Sequence, residues 1–268
     1  MSRALANRSR EAVFLCYHSI AARGEPYLAL SPQLFERQLA LLRRLGYRSG
    51  GLEDLERLGR GERLPRRTVF LTFDDGFRDN LLVGQPLMAG YGFHPIVFVL
   101  PPLLDEGRGF EWPELAEAHA REPQLLRSLT WAELDRMVEQ GAEVGSHTLS
   151  HPHLCELDDE RLAVELGESR RALVERFGSC EMLAYPFGEW DPRVALAAGD
   201  AGYRFAFSLP QRHQRQVGPL CIPRLNVDFR DRPARFAVKL SSTGRRFLLA
   251  KAADRLKDRR GGARPAGA

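Results

Sequence analysis

Two adjacent carboxylates, Asp74 and Asp75, lie in the run Thr72-Phe73-Asp74-Asp75-Gly76, where an apolar stretch stops and a glycine follows. Such a pair can divide labour, one carboxylate ligating a cation and the other moving a proton, provided both reach one pocket. Successive strand side chains point to opposite sides, so the backbone must bend at the pair, and Gly76 permits the bend. Taken alone, Asp-Asp-Gly is equally a solvated turn. A second cluster, Ser146 to Leu154, places His147 and His151 four residues apart, just after an apolar stretch that ends at Gly145. One helical turn or a compact loop brings two such imidazoles to one ion, and imidazole suits zinc and its neighbours. Thr148 occupies the position that glutamate holds in the H-E-x-x-H helix of metalloproteases, which argues against a protease. Any one histidine here reads as a surface residue; a carboxylate cluster ending a different strand in the same layer makes a shared ion the better account. His153 is expected to be a bystander. A third segment, Ala184-Tyr185-Pro186-Phe187-Gly188, is a Pro/Gly turn whose main-chain N–H at Phe187 would suit an oxyanion, although such turns are common without that role.

The elements that must position these groups are short apolar runs separated by helical patterns. Predicted strands are Ala12–Tyr17, Thr68–Phe73, Ile96–Leu100, Ala142–Gly145, Met182–Tyr185 and Tyr203–Phe207. Predicted helices start at Ser31-Pro32 and run to Gly46, then cover Phe77–Tyr91, Thr130–Gln140 with a Thr130/Glu133 capping box, Asp158–Phe177 and Pro192–Ala198. Alternation of this kind implies parallel strands joined by right-handed crossovers, in an open sheet or a closed barrel. No G-x-G-x-x-G follows the first strand, so a dinucleotide fold lacks its fingerprint and the barrel is favoured. All three clusters then fall at C-terminal strand ends, the face where β/α proteins build their active sites.

The whole chain is consistent with this. At 268 residues, 44% hydrophobic and 28% charged, it can bury a large core as one domain, and neither disorder nor a membrane bundle is implied. The net charge of +4 is concentrated at the end, where eight Lys/Arg face two Asp after Ser241, so no nucleic-acid partner is expected. The four cysteines are scattered without a C-x-x-C pair and read as reduced thiols. The N-terminal apolar run is too short for a secretory signal, which points to the cytoplasm. Pro101–Ser128 is expected to be an insertion with a helix near Pro113–Ala120, and Gly261–Ala268 to be disordered. A basic amphipathic helix in the tail, with Phe236, Leu240, Phe247, Leu248 and Leu249 among Arg and Lys residues, would suit weak peripheral contact with the inner face of an anionic membrane, or packing on the barrel.

The ordered set T-F-D-D-G, H-T-x-S-H-P and Y-P-F-G resembles the polysaccharide deacetylase family, also called carbohydrate esterase family 4 or the NodB homology domain, from about Glu11 to about Phe229. The resemblance implies a distorted (β/α) barrel with fewer than eight regular strands in a single domain, here 11–240, followed by a basic helix and tail over 241–268. It implies a metal-dependent hydrolase that removes N-acetyl groups from an amino-sugar glycan, with Asp74 as catalytic base and Asp75, His147 and His151 holding a divalent metal. Zinc is the first choice, and cobalt, nickel and iron tolerate the same ligands. Two departures stand out. The family's third motif usually begins with an arginine that braces the base, and Ala184 stands there; Arg224 is the candidate substitute. The usual Leu-x-x-His segment is missing, and Leu15–Ile20 instead resembles the Tyr-His segment of biofilm-type exopolysaccharide deacetylases, making His18 the expected acid and His213 its rival. His94 and His119 are expected to be structural or exposed. The competing expectations are a non-catalytic carbohydrate-binding barrel and an amidohydrolase acting on a small N-acyl or cyclic amide.

Overall fold

A computed structural model describes residues 12–22, 28–105, 107, 109–110, 120, 126–210, 218–245 and 247–249. Nine strands are seen among them: β1 Val13–Tyr17, β2 Arg48–Ser49, β3 Thr68–Phe73, β4 Ile96–Val99, β5 Glu143–Ser146, β6 Met182–Ala184, β7 Phe205–Ser208, β8 Ile222–Pro223 and β9 Leu225–Asn226. All pair in parallel, in the order β8-β7-β6-β5-β4-β3-β1-β9, with β2 beside β3. The six strands of three residues or more match the six predicted ones to within two residues at each end. Helices α1 Pro32–Arg44, α2 Leu52–Gly59, α3 Gln85–Gly90, α4 Pro101–Leu104, α5 Trp131–Glu139, α6 Asp159–Phe177, α7 Pro192–Asp200 and α8 Pro233–Leu240 complete the fold. This is the distorted (β/α) barrel that the motifs implied.

The ring is closed at one seam. β8 pairs with β7 and β9 pairs with β1, at opposite ends of the sheet path, yet only Arg224 separates them in sequence. Five consecutive residues, Ile222 to Asn226, therefore stitch the two free edges together. This near-closure leaves little of the exposed edge that an open parallel sheet would present.

Strand alternation sorts the side chains into two layers. Val13, Leu15 and Tyr17 of β1 and Val69, Leu71 and Phe73 of β3 face outward and join helix residues such as Phe35, Leu39, Leu162, Leu166 and Phe236 in one core cluster. Phe14, Phe70, Phe98, Met182, Ala184, Phe205, Phe207 and Ile222 form another, inside the barrel. Contacts between strands that are not neighbours establish that placement: Phe14 of β1 lies 6.1 Å from Phe207 of β7, and Phe98 of β4 lies 5.3 Å from Phe207. Leu55 and Leu58 of α2 join the inner cluster with Leu64 and close the end of the barrel opposite the motifs.

Local sequence explains most helix ends. Ser31 and Thr130 accept from Leu34 N and Glu133 N, and Asp158 accepts from Arg161 N, each satisfying an orphan N–H of a helix start. The Phe77–Tyr91 prediction needs correction. The chain stays irregular to Asp79, makes a π-helical turn at Asn80–Gly84, and becomes α-helical only from Gln85. At the start, Phe77 bridges Ser128 and Arg78 N donates to the Arg127 carbonyl; further on, Pro86 has no N–H and its ring clashes with the carbonyl four residues earlier, so an uninterrupted α-helix cannot pass through it. In the tail, Phe236 and Leu240 are buried in the core, which spends much of the apolar face on packing, while Phe247 is exposed. The expected insertion helix near Pro113–Ala120 and the expected disorder of Gly261–Ala268 lie outside the described residues, apart from Ala120. No helix among the described residues is long and apolar enough to cross a membrane.

Candidate metal centre and active site

Asp74 and Asp75 follow the last residue of β3. Asp74 continues the inward alternation of Phe70 and Thr72. Asp75 has φ 73° and Gly76 φ 72°, so the backbone turns left-handed at the pair and carries the second carboxylate to His147 and His151. A Cβ on Gly76 would lie 2.9 Å from Val99 Cγ1, which adds a spatial reason for glycine. Thr148, His151 and Phe187 also have positive φ. Thus four of the five left-handed non-glycine residues among those described line this one site, a concentration typical of strained functional loops.

Asp75 Oδ1 lies 3.4 Å from His147 Nε2 and 3.8 Å from His151 Nε2. One ion with bonds of about 2.1 Å in tetrahedral geometry needs ligand atoms about 3.4 Å apart, so these three residues fit a metal such as zinc. The tautomer fits as well. His147 Nδ1 is 2.8 Å from the Ala184 carbonyl, which can only accept, so Nδ1 carries the proton and Nε2 presents its lone pair. Burial and the neighbouring His147 push the His151 pKa down to about 4, keeping it neutral. Burial would lower His147 too, but the Asp74 and Asp75 carboxylates outweigh it and hold the group above the usual histidine value. For Asp75, burial is opposed by His147, His18 and His151, which together keep the carboxyl ionised.

The histidine loop is braced from behind. Glu165 on α6 accepts from Leu149 N at 2.9 Å and Ser150 N at 3.0 Å, Thr148 N donates to Ser146 Oγ, and His151 N donates to Thr148 Oγ1. Glu165 belongs to no motif; it is one acidic residue on an ordinary amphipathic helix, and nothing in the sequence marks it.

Asp74 is ligated from another side. Arg224 Nη1 and Nη2 donate to its two oxygens at 2.6 and 2.7 Å, and Nη1 also donates to Thr72 Oγ1 at 3.0 Å. Arg224 is fully buried, and its guanidinium lies 5.5 Å from the Phe98 ring centre and 5.7 Å from that of Phe207. Burial would raise the Asp74 pKa, but Arg224, with help from His147, holds it far below the usual carboxylate range. Ala184 also faces inward and has no group to offer. The brace therefore comes from the seam of the barrel. Cys16 Sγ donates to Asp74 Oδ2 at 3.3 Å, a contact that the scattered cysteines did not suggest.

His18 leaves the sheet one residue beyond β1, and ligating atoms of Cys16, His18 and Asp74 lie within 4.8 Å of one another. The Phe187 ring lies 4.6 Å from His151 and is stacked 4.0 Å from His153, so the Y-P-F-G loop forms one wall of the site. His153 pairs with Glu189 at 3.0 Å and belongs to that wall rather than to the Asp75–His147–His151 cluster. The structure thus brings together Asp74, Asp75, His147, His151, His18, Arg224 and Phe187. His94 is exposed at the far end of the barrel, while His213 and His119 lie outside the described residues.

Three clusters on separate strand ends, converging at one end of a nearly closed parallel barrel, define a carbohydrate deacetylase of the NodB type. The chain belongs to the polysaccharide deacetylase family, whose sequence model matches residues 61–206. It is 24% identical over 216 residues to YxkH of Bacillus subtilis, covering 80% of this chain and 70% of that one. It is 30% identical over 142 residues to a chitooligosaccharide deacetylase of Sinorhizobium fredii, covering 50% of this chain and 54% of that relative, so it spans about half of that protein's length. The Streptococcus pyogenes deacetylase PplD, solved in complex with acetate, superposes with a TM-score of 0.73 over 86% of this chain and 98% of that one; at 21% identity the likeness concerns the fold.

Proposed function

We propose that this chain hydrolyses the N-acetyl group of an amino-sugar glycan with a water activated at the Asp74–Asp75 site. The observation that carries this reading is the division between the two carboxylates: Asp75 converges with His147 and His151, whereas Asp74 is held by Arg224 and stays free of the triad. Asp75, His147 and His151 would hold zinc or a similar divalent ion, which when bound supplies a water of pKa roughly 7 and polarises the acyl oxygen.

Asp74, ionised but a weak base because Arg224 stabilises its charge, takes a proton from the attacking water; so weak a base needs a water that has been made acidic. The Phe187 N–H, in the left-handed turn beside His151, faces the developing oxyanion, a contribution of about 3 kcal/mol in comparable sites. His18 gives its proton to the departing amine nitrogen as the C–N bond breaks. An amine is too basic to leave unprotonated, which is why an amide substrate needs an acid opposite the base.

The amino-sugar substrate is supported by the chitooligosaccharide deacetylase among the relatives and by the exposed Phe187 ring, a flat apolar surface at the rim. The finer reading of the tail is weak contact with an anionic membrane through Phe247 and the basic residues after Ser241; unchanged liposome pelleting after deletion of residues 245–268 would exclude it.

The decisive experiment is acetate release from N-acetylglucosamine oligomers with elemental analysis of the same protein. Asp74→Asn should keep its metal and lose turnover by about 10²-fold or more. Loss of the metal in that variant would reverse the two aspartates, and full activity of metal-free protein would end the scheme.

A further inference from the structure

His18 must be aimed accurately to protonate a leaving group, and catalytic histidines are usually aimed by a partner on the second ring nitrogen. That partner is missing: among the described residues His18 Nδ1 is buried without a hydrogen bond. Orientation must reach the ring through the backbone. Two consecutive side chains in the loop after β3 hold three successive residues, the backbone of His18 and Ile20 and the hydroxyl of Ser19 between them. Asn80 Nδ2 donates to the His18 carbonyl at 2.8 Å. Asp79 Oδ2 accepts from the Ser19 hydroxyl at 2.6 Å, and Oδ1 accepts from Ile20 N at 2.9 Å. Asn80 Nδ2 also donates to Asp79 Oδ1 at 2.9 Å, so each side chain fixes the other. The irregular turn in place of a regular helix start is what presents both inward: Asp79 precedes and Asn80 opens the π-helical turn, a distortion that often marks functional sites.

We propose that Asp79 and Asn80 are positioning residues that clamp the His18–Ile20 segment and aim the His18 imidazole at the leaving amine. The single loop after β3 then carries the base, a metal ligand and the support of the acid, so the two proton-transfer groups on opposite sides of the scissile bond share one rigid reference. This inference rests on the reading of His18 as the acid.

Leaving-group dependence tests it, because an N-acetylated sugar needs a proton at its amine whereas 4-nitrophenyl acetate expels a stable phenolate without one. The quantity to read is the ratio of kcat/KM on N-acetylglucosamine oligomers to that on 4-nitrophenyl acetate, in the full chain loaded with zinc. His18→Ala should lower the ratio by about 10²-fold, and Asn80→Ala by about 10-fold, through kcat rather than KM. Ser19→Ala, which deletes one bond to Asp79 and nothing from the core, should lower it in the same direction by a smaller factor; it serves if Asn80→Ala does not fold. If His18→Ala shows the split but folded Asn80→Ala and Ser19→Ala lose both activities in equal proportion, the clamp is overturned and the residues merely stabilise the fold. If His18→Ala itself shows no split, the acid assignment fails first and the clamp with it.

Discussion

The barrel interior has two ends built from the same strands and opposite chemistry. At the floor, Phe14 and Phe70 stack at 4.4 Å, Phe207 and Phe98 pack beside them, and Leu55, Leu58 and Leu64 seal the end. At the mouth, the next inward positions are Cys16, Thr72 and Asp74, hydrogen-bonded respectively to Asp74, to the Leu15 carbonyl and to Arg224. The floor derives its stability from dispersion and exclusion of water; the mouth tolerates buried charge only because each charge has a partner. Arg224 belongs to both, with its guanidinium over two floor rings and its N–H groups on the Asp74 carboxylate.

That contrast predicts separable effects. Arg224→Met should have the largest, since it leaves Asp74 buried without its counterion: unfolding free energy in urea should drop by about 3–5 kcal/mol, and acetate release should fall as well. A stable, active variant would dissolve the boundary between the two ends. Phe70→Ala, wholly in the floor, should cost about 3–5 kcal/mol in the same denaturation while kcat stays within about twofold at a temperature where the protein remains folded. A kcat loss as large as that of a mouth variant would show that the floor is not passive.

The smallest expected effect sharpens the mouth alone. The proposed ligand set requires both imidazoles deprotonated, and His147 is held above the usual histidine value whereas His151 lies near 4. Below the raised His147 pKa the metal-free site carries a proton that the ion must displace, so zinc affinity weakens as pH falls through that value. Zinc affinity measured by calorimetry should therefore be lower at pH 5.5 than at pH 7, with His151 adding little in that window. An affinity unchanged between the two would place the proton elsewhere.

The site was more legible in the sequence than its supports. Asp74, Asp75, His147 and His151 announce themselves because chemical side chains directly follow apolar runs, and a strand of four or more residues leaves a readable pattern. The seam does not: β8 and β9 have two residues each and enclose a single arginine, too short for any periodicity. The α2 plug was likewise missed, since Leu52–Gly59 is one short helix followed by a charged stretch that reads as loop. Asp79 and Asn80 were absorbed into a helix prediction because apolar spacing carries no information about side chains that bond to a distant backbone.

The stitch from Ile222 to Asn226 has a consequence for how this enzyme could lose activity. A chain whose last strands have peeled away keeps every motif residue and most of its strands, yet the Asp74 carboxylate then sits beside no guanidinium. Partial unravelling at this junction would therefore silence the protein before it melts, and heat inactivation should precede loss of secondary structure.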